Sequence, residues 1–133
     1  GRKGCLEQYA SATGLVRLTK RYFEKNTKNS ILNKKEITAK EVFDAAKAGD
    51  EAALEITEEF GAYLGQALVN LAATVDPAVF VIGGGVSKAG DILLDIVRKY
   101  FYDHAFYGNQ KTKILLATLG NDAGIYGAAK QVL

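Results

Sequence analysis

Hydrophobic positions along the chain alternate between helical and strand-like spacing. Leu15, Leu18 and Tyr22 fall three and four residues apart and predict a helix over residues 9–22. A polar stretch rich in Asn and Lys follows over residues 25–35 and reads as an exposed, solvated loop. Thr38 and Glu41 form a capping box that opens a short helix to about residue 48. Gly49 ends that helix, and Asp50 caps a long one over residues 51–75. Its predicted stripe is Leu54, Thr57, Gly61, Leu64, Leu68, Leu71 and Val75. Gly61 and Gly65 weaken a helix, so close approach of another backbone is expected there. Pro77 stops the helix near Asp76.

Beyond Pro77 the period changes. Val79, Phe80, Val81 and Ile82 form a continuous apolar run that predicts a buried strand of the parallel kind. Leu93, Ile96, Val97, Tyr100 and Phe101 share one face of a helix over residues 89–106. Residues 113–117 predict a second strand, and residues 121–133 a closing helix. Strand, helix, strand, helix implies an α/β layer. Two strands make a small sheet, which is expected to be incomplete and to have partners outside these residues. Repeats and low-complexity segments are absent from the sequence.

The chain of 133 residues suits one domain, since a chain of this size buries roughly two thirds of its unfolded surface. Charged residues are 24% and the net charge is +2 with scattered lysines, so no concentrated nucleic-acid footprint exists. Cys5 is the only cysteine, which excludes an internal disulfide and fits a reducing compartment such as the cytoplasm. No apolar run reaches the roughly 18 residues of a membrane span, and no signal peptide is evident. The start at Gly1 rather than Met leads to the expectation of an excised or processed piece.

Three segments carry candidate chemistry. Strand residues 79–82 run into Gly83, Gly84 and Gly85, which let a backbone approach a ligand closely. A helix start follows, whose free N–H groups suit phosphate. The sequence is neither a P-loop nor a GxGxxG fingerprint, and a tight strand-to-helix turn is the plainer alternative. The second segment, Gly120 to Ala129, repeats the theme. Asn121 or Asp122 either caps the last helix or lies beside a ligand, and Gly124, Gly127 and Ala128 offer a small face for close packing or for one wall of an adenine slot. The third is Cys5 with Glu7. One Cys and one His, His104, cannot close a tetrahedral zinc site. Glu7 reads as a surface carboxylate, or in a cleft as an acceptor for vicinal sugar hydroxyls. His104 is expected on the apolar side of its helix, in a structural role.

Together these segments resemble the ROK family of sugar kinases and sugar-responsive repressors, most closely its bacterial glucokinases. Gly1 to Glu7, followed by Gln8 to Ser11, matches the end of the family's Cys-x-Cys-Gly-x-x-Gly-Cys-x-Glu motif. The glycine turn at 83–85 and the Asn-Asp-Ala-Gly-x-x-Gly-Ala-Ala run from Asn121 match in order and separation. The resemblance implies half of an actin-like ATPase (ribonuclease H-like) fold, helix-rich with a small incomplete sheet. It implies ATP with Mg2+, and glucose or a related hexose phosphorylated at the 6-hydroxyl. Cys5 becomes the last of three cysteine ligands to a structural zinc in the intact protein, which this chain alone does not hold. Glu7 becomes a sugar ligand, while Gly83, Gly84, Gly85, Asn121, Asp122 and Gly124 line the nucleotide site. The resemblance also implies a homodimer. The family's phosphate loop, its aspartate general base and its first two zinc cysteines do not occur in these residues, so the chain alone is expected to be inactive. A sugar-binding repressor of the same family is the alternative.

Overall fold

A computed structural model describes residues 3–132 and, for Asn121, the backbone alone. The predicted opening turn at Gly1 and Arg2, and the predicted end of the last helix at Leu133, lie outside the described residues. Among the described residues, six α-helices and two strands follow in the order α1 (Glu7–Ala10), α2 (Ala12–Lys25), α3 (Ala39–Lys47), α4 (Glu51–Val75), β1 (Val79–Ile82), α5 (Asp91–His104), β2 (Lys113–Leu116) and α6 (Ala123–Lys130). Short 3-10 segments precede α5, β2 and α6 at Gly85–Ala89, Tyr107–Asn109 and Gly120–Asp122.

The first predicted helix is two. Ser11 adopts an extended conformation, accepts a hydrogen bond from the Gly14 N–H at 3.0 Å and donates to the Glu7 carbonyl at 2.6 Å. That arrangement caps α2 while ending the one-turn α1. The turn lies so close over α2 that a Cβ at Gly14 would come within 2.8 Å of the Tyr9 backbone. Leu15 and Leu18 enter the core as their spacing predicts. The polar loop after α2 is exposed in its charges, yet Leu32 is fully buried. Asp50 fixes this loop by accepting from Ser30 Oγ and the Ile31 N–H, and it caps α4 through the Ala53 N–H.

The Thr38 capping box forms as predicted, with Glu41 accepting from the Thr38 N–H and Thr38 accepting from the Glu41 N–H. Lys34 and Thr38 together hold the Glu41 carboxyl down at about 2, against an ordinary value of 4.5. The stability this lowered pKa contributes is present above pH 4.5 and is lost as pH falls toward 2. Wild type is therefore expected to have a higher thermal midpoint than Glu41→Gln at pH 6. That gap should close between pH 4.5 and 2 when followed by circular dichroism.

Helix α4 is the centre of the molecule, with α1, α2 and α3 on one side and α5 on the other. It consequently buries Ala53, Ile56, Phe60 and Ala72 besides the predicted Thr57, Gly61 and Leu68. Leu54, Leu71 and Val75 of the predicted stripe are exposed, because burial on two sides broadens and shifts the contact face. At Gly61 and Gly65 the close neighbours are chiefly side chains of α5, Ile96 and Tyr100, where a neighbouring backbone was expected. Asp76 ends α4 in the left-handed region at φ 42°, held by Asn109 Nδ2, which donates to its carboxylate at 2.8 Å.

Strands β1 and β2 pair in parallel, Val79 beside Lys113 through Ile82 beside Leu116, with α5 as the crossover. Ile82 and Ile114 are buried and Phe80 packs edge-on to Phe101, which joins this face of the sheet to α5. The other face carries Val79, Val81 and Leu115, all exposed among the described residues. The prediction of a strand buried on both faces is corrected accordingly. His104 is also corrected: it lies exposed and stacks on Tyr100 with ring centroids 4.0 Å apart, rather than facing the apolar side.

Candidate functional site at the carboxyl end of the sheet

A parallel pair of strands directs both carboxyl ends to one edge, where open α/β sheets take their ligands. Both predicted glycine segments leave from this edge. Gly84 has φ 76° and ψ −165°, a conformation open essentially to glycine alone. Nothing lies within 4 Å of where its Cβ would be, so the turn presents bare backbone to open space. Beyond β2 the ladder continues by one bond, from the Ala117 N–H to the Ile82 carbonyl at 2.8 Å. Ala117 thereby sits against Gly83, at 3.5 Å from an added Cβ. The chain then turns at Gly120, with φ 55°, into α6.

The glycine turn does not feed α5 directly. It enters the 3-10 segment Gly85–Ala89, anchored by buried Val86 and Ala89, and the chain restarts at Gly90 before α5. Ser87 Oγ donates back to the Gly84 carbonyl at 2.8 Å and fixes the turn. The amides offered to a ligand therefore belong to the turn and the first 3-10 residues, whose N–H groups have no acceptor within the segment. The expectation of an α-helix start beside the turn is corrected to this extent.

The third predicted segment reaches the same place. Gly85, given a Cβ, would touch Ala12 Cβ at 3.6 Å, so the α1–α2 junction abuts the glycine turn. Glu7 and Cys5 are both exposed just before this junction. At α6 the capping alternative for Asp122 is not realised, because its side chain makes no cap hydrogen bond. Gly124, Gly127 and Ala128 are exposed, and no described residue packs on that small face. No group of three or more His, Cys, Asp or Glu converges among the described residues. One exposed thiol does not fit a zinc site built from this chain's described residues.

Sequence reasoning missed one feature. Between α3 and the 3-10 segment lies a cleft of about 150 Å3, with Ala39, Phe43 and Ala89 as apolar lining beside Gly85, and with Lys40, Asp44 and Lys88 around them. Phe43 is held by an edge-on contact with Phe60, with centroids 6.0 Å apart. The cleft is small beside the roughly 300 Å3 at which drug-sized pockets begin, so it is too small for a whole nucleotide. Its residues read in sequence as an ordinary amphipathic helix and a loop, and only the docking of α3 on the turn brings them together.

The model of the ROK family matches residues 1–133. This chain belongs to the ROK family. A glucokinase of Halalkalibacterium halodurans is 41% identical over 132 residues, covering 96% of this ROK chain and 40% of the relative. A ROK glucokinase from Streptomyces griseus, solved in complex with glucose and AMPPNP, superposes with a TM-score of 0.85 at 35% identity over 98% of the chain and 45% of that structure. A ROK family transcriptional regulator, a homologue of the E. coli MLC protein, superposes with a TM-score of 0.70 at 27% identity over 87% of the chain and 30% of that structure. The chain thus spans less than half the length of these relatives. Its helix-rich architecture with a small parallel sheet is that of the ROK sugar kinases, an actin-like ATPase fold. No helix among the described residues is long and apolar enough to cross a membrane.

Proposed function

We infer that this chain is the nucleotide-side part of an ATP-dependent hexose kinase that phosphorylates glucose at its 6-hydroxyl. The reading rests above all on one observation. Two glycine turns leave adjacent parallel strands side by side, Gly83 against Ala117, and face open space at the carboxyl edge of the sheet. Main-chain amides of Gly84 and Gly85 hydrogen-bond the nucleotide's phosphates, and the segment from Asn121 to Gly124 lines the same site. The apolar cleft at Phe43 and Ala89 takes the base. Glu7, brought alongside by the Ala12 contact, accepts hydrogen bonds from vicinal hydroxyls of the sugar.

These roles position and stabilise; none removes the proton from the attacking hydroxyl. In phosphoryl transfer, positioning and charge stabilisation supply most of the catalysis. The base is assigned to an aspartate outside these residues, as the family resemblance implies. Cys5 is assigned as one ligand of a zinc whose other ligands lie outside this chain. Mg2+, a cytosolic location and a homodimeric intact protein belong to the same proposal.

Glucose-dependent formation of ADP by the full-length protein tests the reading. Glu7→Gln should raise the KM for glucose roughly tenfold, from weakened charge-assisted hydrogen bonds, and leave the KM for ATP nearly unchanged. The likeness to a ROK transcriptional regulator supports a second reading, a sugar-binding repressor domain. Absence of hexose phosphorylation, with glucose-dependent DNA binding, would favour that reading.

A further inference from the structure

The two lysines of the α3 cleft differ in their surroundings. Lys40 on α3 forms an ion pair with Asp44 one turn along the same helix. Its ammonium thus has an acidic partner in an exposed surface pair. Lys88, on the 3-10 segment next to the glycine turn, has no ion pair or hydrogen bond among the described residues. It lines the same cleft as Gly85, Ala89 and Phe43. A lysine in such a place lays its aliphatic stem along apolar surface and carries its charge to the rim. Among the described residues that line the cleft, the one cation without a partner therefore stands beside the backbone turn assigned to phosphate.

We propose that Lys88 is a nucleotide-positioning residue, whose stem covers the base in the α3 cleft and whose ammonium pairs with the phosphate chain held at Gly83–Gly85. This rests on the kinase reading above and adds to it a charge that the glycine amides cannot supply. The assignment separates two functions along one side chain, and substitutions can separate them too. Lys88→Met retains the stem and removes the charge. Lys88→Ala removes both. Lys88 is exposed, so neither change disturbs the core.

The test is calorimetry of the full-length protein with adenosine, ADP and ATP at two salt concentrations. Lys88→Met is expected to leave adenosine affinity within about twofold of wild type and to weaken ADP and ATP about five- to tenfold, the range of a partly solvated charge-assisted contact. That loss should shrink at high salt. Lys88→Ala should weaken adenosine as well, and Lys88→Arg should restore ADP and ATP to within about twofold. Equal losses for adenosine and ATP in Lys88→Met, or no loss for any of the three, overturn the assignment. Wild-type protein that binds none of the three overturns the kinase reading beneath it. Normal ATP binding by wild type, with affinity unchanged in every Lys88 variant, overturns the role of Lys88 alone.

Discussion

Replacing Gly84 by alanine in the full-length protein is expected to lower kcat/KM for ATP by about a hundredfold or more, because misplacing a positioning group by about 1 Å is enough for such a loss. The φ of 76° and ψ of −165° at Gly84 lie where an added Cβ strains the backbone by about 1–3 kcal/mol. Open space around the position does not relieve that strain, since it arises within the residue itself. The turn relieves it by rotating, and rotation moves the amides of Gly84 and Gly85 away from the phosphates. Gly49→Ala is the matched control. Gly49 also has positive φ, 83°, and also has nothing within 4 Å, but it terminates α3 and lies outside the proposed site. Both variants should lose stability, and Gly84→Ala alone should lose ATP-dependent activity with the KM for glucose little changed. Similar activity in the two variants would show that the Gly84 turn serves only to connect β1 to the next segment.

The second large effect concerns the α4–α5 contact. Alanine at Gly61 places its Cβ 2.0 Å from Ile96 Cγ2, and alanine at Gly65 places its Cβ 2.7 Å from Tyr100 Cδ1 and 2.9 Å from Tyr100 Cβ. In a solvent-exposed helix each change would stabilise by about 1 kcal/mol through helix propensity. Here overpacking against a β-branched side chain of restricted rotamer freedom outweighs it, and the paired substitution should destabilise by about 2–4 kcal/mol. Urea unfolding of the full-length protein measures the loss. A double-mutant cycle of Gly61→Ala with Ile96→Ala should show a coupling of at least about 1 kcal/mol, the double variant losing less than the sum of the singles. Strict additivity would place the steric conflict elsewhere.

Much of the fold was legible because its signals are local. The Thr38 capping box, the Asp50 cap, the bounds of α4 and the start of β1 all depend on residues within a few positions of one another. The breaks at Ser11 and Gly90 were not legible, since each lies ahead of the apolar stripe that begins at Leu15 or Leu93, where the spacing sets no boundary and only the backbone conformation reveals it. Leu32 was hidden by its polar neighbours; its burial depends on Asp50, eighteen positions on, tying the loop down through Ser30 and Ile31. His104 was misplaced because helical position gives a direction but not a neighbour, and its partner is the ring of Tyr100. Among the site residues, the glycine turns were legible from composition. Their adjacency required the β1–β2 register, and the cleft with Lys88 required the docking of α3.

A crystal structure of the full-length protein with glucose and a non-hydrolysable ATP analogue bears most directly on the assignment of this edge of the sheet. The phosphates should lie within hydrogen-bonding distance of the amides at Gly84 and Gly85, with the base against Phe43 and Ala89. A nucleotide bound elsewhere, with the turn at Gly84 still open to solvent, would contradict it.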